Sequence, residues 1–354
     1  MVVMPARITQ RMDFDIENFD RLRDYLMAQG HVKTGETVSI RKLEGGVSNR
    51  TVAVTWPDGR GWVLKQALSK LRVNVDWFSS PDRIAIGAKA LRWLNRSAPA
   101  GTTPAFVFED LPNHLMGMEA VPADHENWKS ALLSGTIVPD HFEQFGVWLG
   151  TIHRKSSVSG TEISEAFADT SYFENLRLEP YYLYTAQNIP ESADFLTTLA
   201  TETLHHKDSL VHGDFSPKNT LIYRGKLILL DYEVMHFGDP AFDVGFGLTH
   251  FLSKAHHMPK RRARLANAAL SFWRTYQKEI AERGWSRQLE TRVVRHTLAC
   301  LLARVAGKSP LEYLTPDELS RQRNIVLELM ARLPANVPDL IQRFIQEIEA
   351  YAQD

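Results

Sequence analysis

The apolar periodicity of this chain changes once, near residue 118, and that change limits the fold more than any other feature. Before it, short alternating runs dominate. Thr37–Leu43, Thr51–Trp56 and Gly61–Gln66 read as strands, the last two joined by the turn Pro57-Asp58-Gly59. Phe106–Phe108 and Leu115–Glu119 read as another pair. Apolar residues over 16–29 recur at helical spacing and stop at Gly30, and Pro81-Asp82 opens a second helix that runs to Asn95. From about Asn127 the spacing is mostly helical, most clearly over Phe142–Ser156. Leu221-Ile222-Tyr223 and Leu227–Leu230, around Arg224-Gly225-Lys226, read as a hairpin. Ile163–Asn188, rich in Tyr, Phe and acids, takes no assignment. The expected class is α+β: a small β-rich N-terminal part, a boundary at Met118–Pro122, and a larger helical part. The length of 354 residues suits roughly two domains at about 150 residues each.

Charge and cysteine content exclude several functions. Lys and Arg total 41 against 42 Asp and Glu, a net charge of −1, so nothing electrostatic points to nucleic acid or an anionic membrane. The single cysteine, Cys300, lies in an apolar run and reads as a buried, inert thiol; neither a disulfide framework nor a cysteine zinc site can form within the chain. The apolar start Met1–Ala6 ends at Arg7, short of a secretory core, and no apolar run approaches the ~18 residues of a membrane span. A reducing cytoplasm is the expected location.

The segment Leu210-Val211-His212-Gly213-Asp214-Phe215-Ser216-Pro217-Lys218-Asn219, followed by the hairpin and Asp231-Tyr232-Glu233, carries the chemistry. An apolar run leads into a turn bearing Asp214. Asn219 precedes the first hairpin strand, and the second strand ends at Asp231. Antiparallel pairing therefore returns Asp231 to Asn219, beside the Asp214 loop. Two carboxylates and an amide oxygen are hard ligands, suited to Mg²⁺ with a phosphate-bearing substrate rather than to zinc. Upstream, Leu43-Glu44-Gly45-Gly46-Val47-Ser48-Asn49 lies between two strands. Its paired glycines either make a plain hairpin turn or let backbone N–H groups approach phosphates.

The 210–219 pattern is similar to the catalytic loop of eukaryotic-like kinases, with Gly213 for the usual Arg, Ser216 for the Lys and Asp-Tyr-Glu for Asp-Phe-Gly. In this form it resembles the aminoglycoside phosphotransferase and choline kinase superfamily. Asp239-Pro240-Ala241-Phe242-Asp243 and Leu149-Gly150-Thr151-Ile152-His153 match it too, and Phe173–Tyr182 and His250–Ala255 resemble its branch near the methylthioribose kinases. The resemblance implies a bilobal, protein-kinase-like fold: residues 1–118 as nucleotide-binding lobe, 119–122 as hinge, 123–354 as helical lobe. It implies ATP and Mg²⁺ as cofactors, with Asp214 as catalytic base and Asn219 and Asp231 as metal ligands. Lys65, Gly45, Gly46 and Ser48 would hold phosphates, and the backbone at Glu119 and Val121 the adenine. The acceptor would be a hydroxyl of a small molecule such as a sugar or amino sugar, with Arg304, Lys308 and Glu233 as candidate contacts.

One departure stands out. The family's Arg-x-x-x-Glu-x-x-Ala-Leu helix pairs its Glu with the strand lysine, but Arg83–Leu91 has Gly87 there. Lys65 then finds another acid, such as Asp231, or holds nucleotide weakly, or the register is shifted by a turn. On the second reading Gly87→Glu restores a pair, and a catalytically silent kinase-fold scaffold is the alternative function. A metal-dependent hydrolase is more distant, because it leaves Lys65 unexplained. His153 reads as buried, His212 as a prop of the loop and Asp243 as a partner of loop N–H groups. His256-His257 with Lys260–Arg264 read as an exposed basic helix start. Tyr181, Tyr182 and Tyr184 could cage choline or simply fill the core, and the helices lack the dense acidic tract that a polycationic aminoglycoside needs.

Overall fold

The computed structural model describes residues 14–351 apart from 45, 74, 75 and 282, so the Met1–Arg7 segment and Gly45 lie outside the described residues. Helix α1 (Phe19–Ala28) precedes strands β1 (Ser39–Lys42), β2 (Asn49–Thr55) and β3 (Gly61–Ala67). Helix α2 (Arg83–Ser97) follows, then β4 (Phe106–Asp110) and β5 (Leu115–Glu119). The five strands form one antiparallel sheet in the order β1-β2-β3-β5-β4. Because side chains alternate across a strand, the sheet has two apolar faces. Val52, Val54, Leu64 and Leu115 pack with Ile16 and with Leu22 and Leu26 of α1. Met116 and Met118 join Ile84, Leu91 and Leu94 of α2 in the main core.

The rest of the chain is helical, with short sheets inserted. In order come β6 (Glu126–Asn127), α3 (Trp128–Leu133), α4 (Pro139–Ser156), α5 (Gly160–Ala166), α6 (Ser171–Phe173), a π-helix over Glu174–Leu183, α7 (Tyr184–Asn188) and α8 (Ala193–His205). Then follow β7 (Ser209–Val211), β8 (Thr220–Tyr223), β9 (Lys226–Leu229), β10 (His236–Gly238), α9 (Pro240–His257), α10 (Arg262–Ile280), α11 (Ser286–Ala306), α12 (Pro316–Ala331) and α13 (Val337–Ala350). The unassigned stretch 163–188 is therefore largely helical. Its periodicity is irregular because Pro180 lies inside the π-helix. Proline has no N–H to donate to the preceding turn and clashes with it, which favours a locally wider helix over a regular one. No described helix is long and apolar enough to cross a membrane.

Helices α4 and α10 pack closely because α4 presents Gly146 and Gly150, one turn apart, to α10. A Cβ on Gly146 would sit 2.7 Å from the Phe272 carbonyl oxygen and 3.1 Å from the Tyr276 nitrogen. The basic run 256–264 is exposed only in part. His256 is buried and faces Gln322 Oε1 at 3.5 Å, while His257 Nδ1 lies 3.0 Å from Glu318 Oε2. Arg262 is also buried, and donates to Ala255 O at 3.2 Å. The basic run thus lies at the junction of α9 and α10, with Lys260, Arg261 and Arg264 exposed and His256 and Arg262 turned inward.

This packing has consequences for stability. Gly146→Ala is expected to cost about 1–3 kcal/mol by overpacking against helix backbone, read as a lower denaturation midpoint at unchanged slope. A second expectation concerns pH. Burial pushes His236 and His256 down to about 4. The unfolded chain protonates such histidines below about pH 6.5, and the folded chain does not until near 4, so stability is lost as pH falls between those values. The melting temperature should decline from pH 7 to pH 4.5, and a flat profile over that range would contradict the buried-neutral assignment.

Candidate active site

The loop after β7 is fixed before any ligand enters. Gly213 has φ +76°, and a Cβ there would lie 3.0 Å from the Val234 carbonyl oxygen, so glycine is required where protein kinases carry Arg. The fully buried Asp243 carboxylate accepts from His212 N at 2.6 Å and Gly213 N at 2.8 Å. His153 Nε2 lies 3.3 Å from the same carboxylate, and its Nδ1 lies 2.9 Å from Tyr276 OH. Asp214 N donates to His212 Nδ1 at 3.1 Å. Phe215 stacks on Phe145 of α4 with centroids 3.7 Å apart. The turn is therefore anchored, by hydrogen bonds and by stacking, to the rigid helices α4 and α9.

The hairpin then delivers its acid. Leu230 N donates to Asn219 O at 2.8 Å, which leaves Asp231 at the Asn219 end of the β8–β9 pair. Asn219 Nδ2 donates to Asp214 Oδ2 at 2.6 Å and to Asp214 O at 3.0 Å. Arg177 is a partner the sequence reading missed. From the π-helix it donates Nε to Gly213 O at 2.7 Å and places Nη2 2.9 Å from Asp214 Oδ2. Its only sequence signal was its place within Phe173–Tyr182.

The sheet meets this loop through charge. Lys65 Nζ of β3 donates to Asp231 Oδ1 at 2.8 Å. Burial would push the Asp231 carboxyl up, but the Lys65 ammonium outweighs this and holds it below the usual carboxylate range. Burial likewise lowers Lys65, and Asp231 and then Glu233 more than offset it. Glu233 is held by three groups: Ser48 Oγ donates at 2.6 Å, Asn49 Nδ2 at 3.0 Å and Arg83 Nε at 3.1 Å. Arg83 is fully buried and also donates to Ser79 O, Ser80 O and Ser48 O. The structure thus ties the Ser48 loop, α2 and the Asp231 loop together through Glu233, a role the sequence did not suggest for Arg83.

The remaining candidates are more dispersed. Gly46 is exposed, and a Cβ added there would have Thr51 Oγ1 as its nearest neighbour, at 3.9 Å. At the end of β5, Glu119 N and Ala120 N donate to Ala105 O and Gly61 O, so Val121 is the first residue past the sheet's pairing. Lys308 Nζ pairs with Glu179 at 2.8 Å, and Arg304 Nη1 donates to Tyr181 OH at 3.1 Å. The three tyrosines form no cage. Tyr182 OH faces His296 and Cys300 in the core, Tyr181 lies between two guanidinium groups, and Tyr184 carries Lys308. Cys300 is buried and its thiol is pushed up to about 12, so it is inert.

These residues fit Mg²⁺ and a polyphosphate. Asn219 spends its Nδ2 on Asp214 and keeps its amide oxygen as a donor atom, and Asp231 is ionised. Among the described residues no set of three or more His, Cys, Asp or Glu could hold a metal without help. Mg²⁺ typically takes one or two carboxylates and completes its shell with phosphate and water.

Gly87 has a physical explanation. Lys65 already has Asp231, so the expectation that Gly87→Glu restores a missing pair is overturned. A Cβ on Gly87 would meet Met116 Sδ at 3.4 Å and Glu233 Cα at 3.7 Å, in a cavity of about 10 Å³ shared with Lys65 and Asp231. That holds a methyl or one water, not a carboxylate. Gly87→Ala should stabilise the protein by up to about 1 kcal/mol through helix propensity. Gly87→Glu should lower the melting temperature, because it adds a third acid beside Asp231 and Glu233. A more stable Gly87→Glu protein would contradict this account.

The chain resembles known proteins over much of its length. A model of the phosphotransferase enzyme family matches residues 39–289. The methylthioribose kinases of Klebsiella pneumoniae and Yersinia pseudotuberculosis are 25% and 26% identical to the chain over 215 residues. Each alignment covers 54% of this chain and 53% or 52% of the relative, so the chain spans about half the length of the curated relatives it matches. Among solved structures, an amicoumacin kinase superposes with a TM-score of 0.56 at 15% identity, covering 93% of this chain and 99% of that one. A macrolide 2'-phosphotransferase from Brachybacterium faecium gives 0.50 at 16%, covering 93% and 98%. Both share the fold, a β-rich N-terminal region followed by a helical C-terminal region. With a family model spanning residues 39–289, the chain belongs to the phosphotransferase enzyme family.

Proposed function

We propose that this chain transfers the γ-phosphoryl group of Mg-ATP to a hydroxyl of a small molecule. The observation that carries the reading is the meeting of Lys65 with Asp231 at 2.8 Å, beside an Asn219–Asp214 contact of 2.6 Å. A strand lysine, a metal-type acid, an amide and a second acid then share one site. When bound, Mg²⁺ neutralises charge on the phosphates. Asn219 Oδ1 and Asp231 hold it, and Lys65 turns from Asp231 to the phosphate oxygens. The loop at Gly45, Gly46 and Ser48 covers the phosphates, and Glu233 stays beside the metal ligands. The adenine rests on the backbone of Glu119 and Val121, within a hinge of residues 119–122 between a nucleotide lobe over 1–118 and a helical lobe over 123–354.

Asp214 orients the acceptor hydroxyl and takes its proton. Arg177 and Asn219 fix that carboxylate from two sides, so little reorganisation is left to the reaction itself. Gly87 was the reason to consider a silent scaffold, and the Lys65–Asp231 pair removes that reason.

Mg-ATP should raise the melting temperature, since a ligand at a hundredfold excess over Kd contributes about 2.7 kcal/mol. Asp214→Asn should keep nucleotide affinity and lower kcat by about 10²–10⁴-fold. Asp231→Asn should weaken Mg-ATP binding itself; Asn tolerates the φ of +72° at this position, so the backbone is expected to persist. Equal loss of nucleotide affinity in both variants would refute the division of roles.

A further inference from the structure

Where α3, α9, α11 and residues 307–315 meet, positive charge is buried with no free anion among the described residues to match it. Lys254 is 0% exposed and Arg304 8%; His250 beside them, 4% exposed, is held well below its usual pKa by burial and then by Arg304 and Lys254. Lys254 Nζ makes one long contact, 3.4 Å to the carbonyl of His250 in its own helix, and lies 5.2 Å from the centroid of the Tyr313 ring. Arg304 Nη1 donates to Tyr181 OH, Ser309 O and Ser309 Oγ, all uncharged. Arg304 Nε, His250 Nε2 and Tyr313 OH are buried without a hydrogen-bond partner. The carboxylate acting on Lys254 is Glu312, which is already paired with Lys129. Burial, then Lys129 and Arg304, push the Lys254 ammonium down to about 7.

Such an arrangement is costly to a folded core. Buried cations without counter-ions and buried donors without acceptors both destabilise. The Tyr313 and Tyr181 rings offset only part of this, and Lys254, Arg304 Nε, His250 Nε2 and the Tyr313 hydroxyl remain as donors for an entering oxyanion. The cluster also adjoins the proposed chemistry. The Tyr181 ring lies 5.5 Å from the Arg304 guanidinium and 5.8 Å from that of Arg177, whose Nη2 is 2.9 Å from Asp214 Oδ2. One aromatic ring separates the cations from the Asp214 side.

We propose that the acceptor is an alcohol that also carries an oxyanion, a carboxylate or a phosphate monoester, seated on Lys254 and Arg304 with its hydroxyl at Asp214. This rests on the phosphotransfer reading above. The acceptor oxygen forms a bond to Pγ as the bond between Pγ and the bridging β–γ oxygen breaks. ADP leaves with that electron pair, and the hydroxyl proton passes to Asp214. Glu312, whose side chain is 65% exposed and which pairs with Lys129, gives up Lys129 when the anion enters.

The test is titration calorimetry of the full chain, first with Mg-AMP-PNP and then, on the saturated protein, with matched probes. These are ribose 5-phosphate and glycerate against ribose, glycerol and choline. At least one anionic probe should bind ten or more times tighter than its uncharged partner, and the one that does so distinguishes phosphate from carboxylate. Lys254→Met should weaken that binding about 10–100-fold, the worth of one charge-assisted hydrogen bond, with Mg-AMP-PNP affinity unchanged. Glu312→Gln should strengthen it, an outcome that misfolding does not produce. Mg-AMP-PNP binding with no preference for anions, or an anion affinity in Lys254→Met within twofold of the wild type, would overturn the proposal alone. Failure to bind Mg-AMP-PNP would remove the phosphotransfer reading and this proposal with it.

Discussion

A buried carboxylate, Asp243, is the constraint on which the site depends. It lies in the first turn of α9, fully enclosed, and accepts two backbone N–H groups of the loop at 2.6 and 2.8 Å. Burial would raise its pKa, and the contact with His153 more than offsets this. An enclosed carboxylate stripped of its partners costs several kcal/mol, so the loop stays where the carboxylate is. His153 in turn depends on α4 approaching α10 closely enough to reach Tyr276, which Gly146 and Gly150 permit. The positions of Asp214 and Asn219, and through the hairpin Asp231, follow from that packing.

The second constraint joins sheet to helices. Lys65–Asp231 and Arg83–Glu233 are ion pairs between residues of the N-terminal region and the turn after β9. Arg83–Glu233 is shielded from water and Lys65–Asp231 is partly so, and such pairs are screened less than those on a surface. Both acids belong to one short turn, so a ligand that displaces Lys65 from Asp231 acts on the same segment that holds Ser48 and α2. Asp231 itself sits at φ +72°, an uncommon conformation for a residue other than glycine, and such strain tends to collect at functional turns.

Much of this was legible in the sequence because it is local. The β2–β3 turn at Pro57-Asp58-Gly59, the period-two strands, the Asp214-to-Asn219 spacing and the hairpin that returns Asp231 each reveal themselves over a few residues. The missed features depend on distance along the chain. Arg177 reaches Gly213 from a π-helix that a 3.6-residue period does not describe. Arg83 meets Glu233 across 150 positions, so only the assembled fold pairs them. His256 looked like part of an exposed basic run because a histidine beside charged residues carries no local sign of burial. The charge imbalance at Lys254 was hidden by a net charge of −1 for the whole chain, which averages over clusters that the fold separates.

The most direct test of the central claim is a crystal structure with Mg²⁺ and AMP-PNP. It should show the metal on Asn219 Oδ1 and Asp231, Lys65 Nζ moved from Asp231 to the phosphates, and both Asp243 contacts to His212 N and Gly213 N unchanged. A nucleotide bound away from Lys65, or a 212–219 loop that leaves Asp243 when the metal binds, would contradict it.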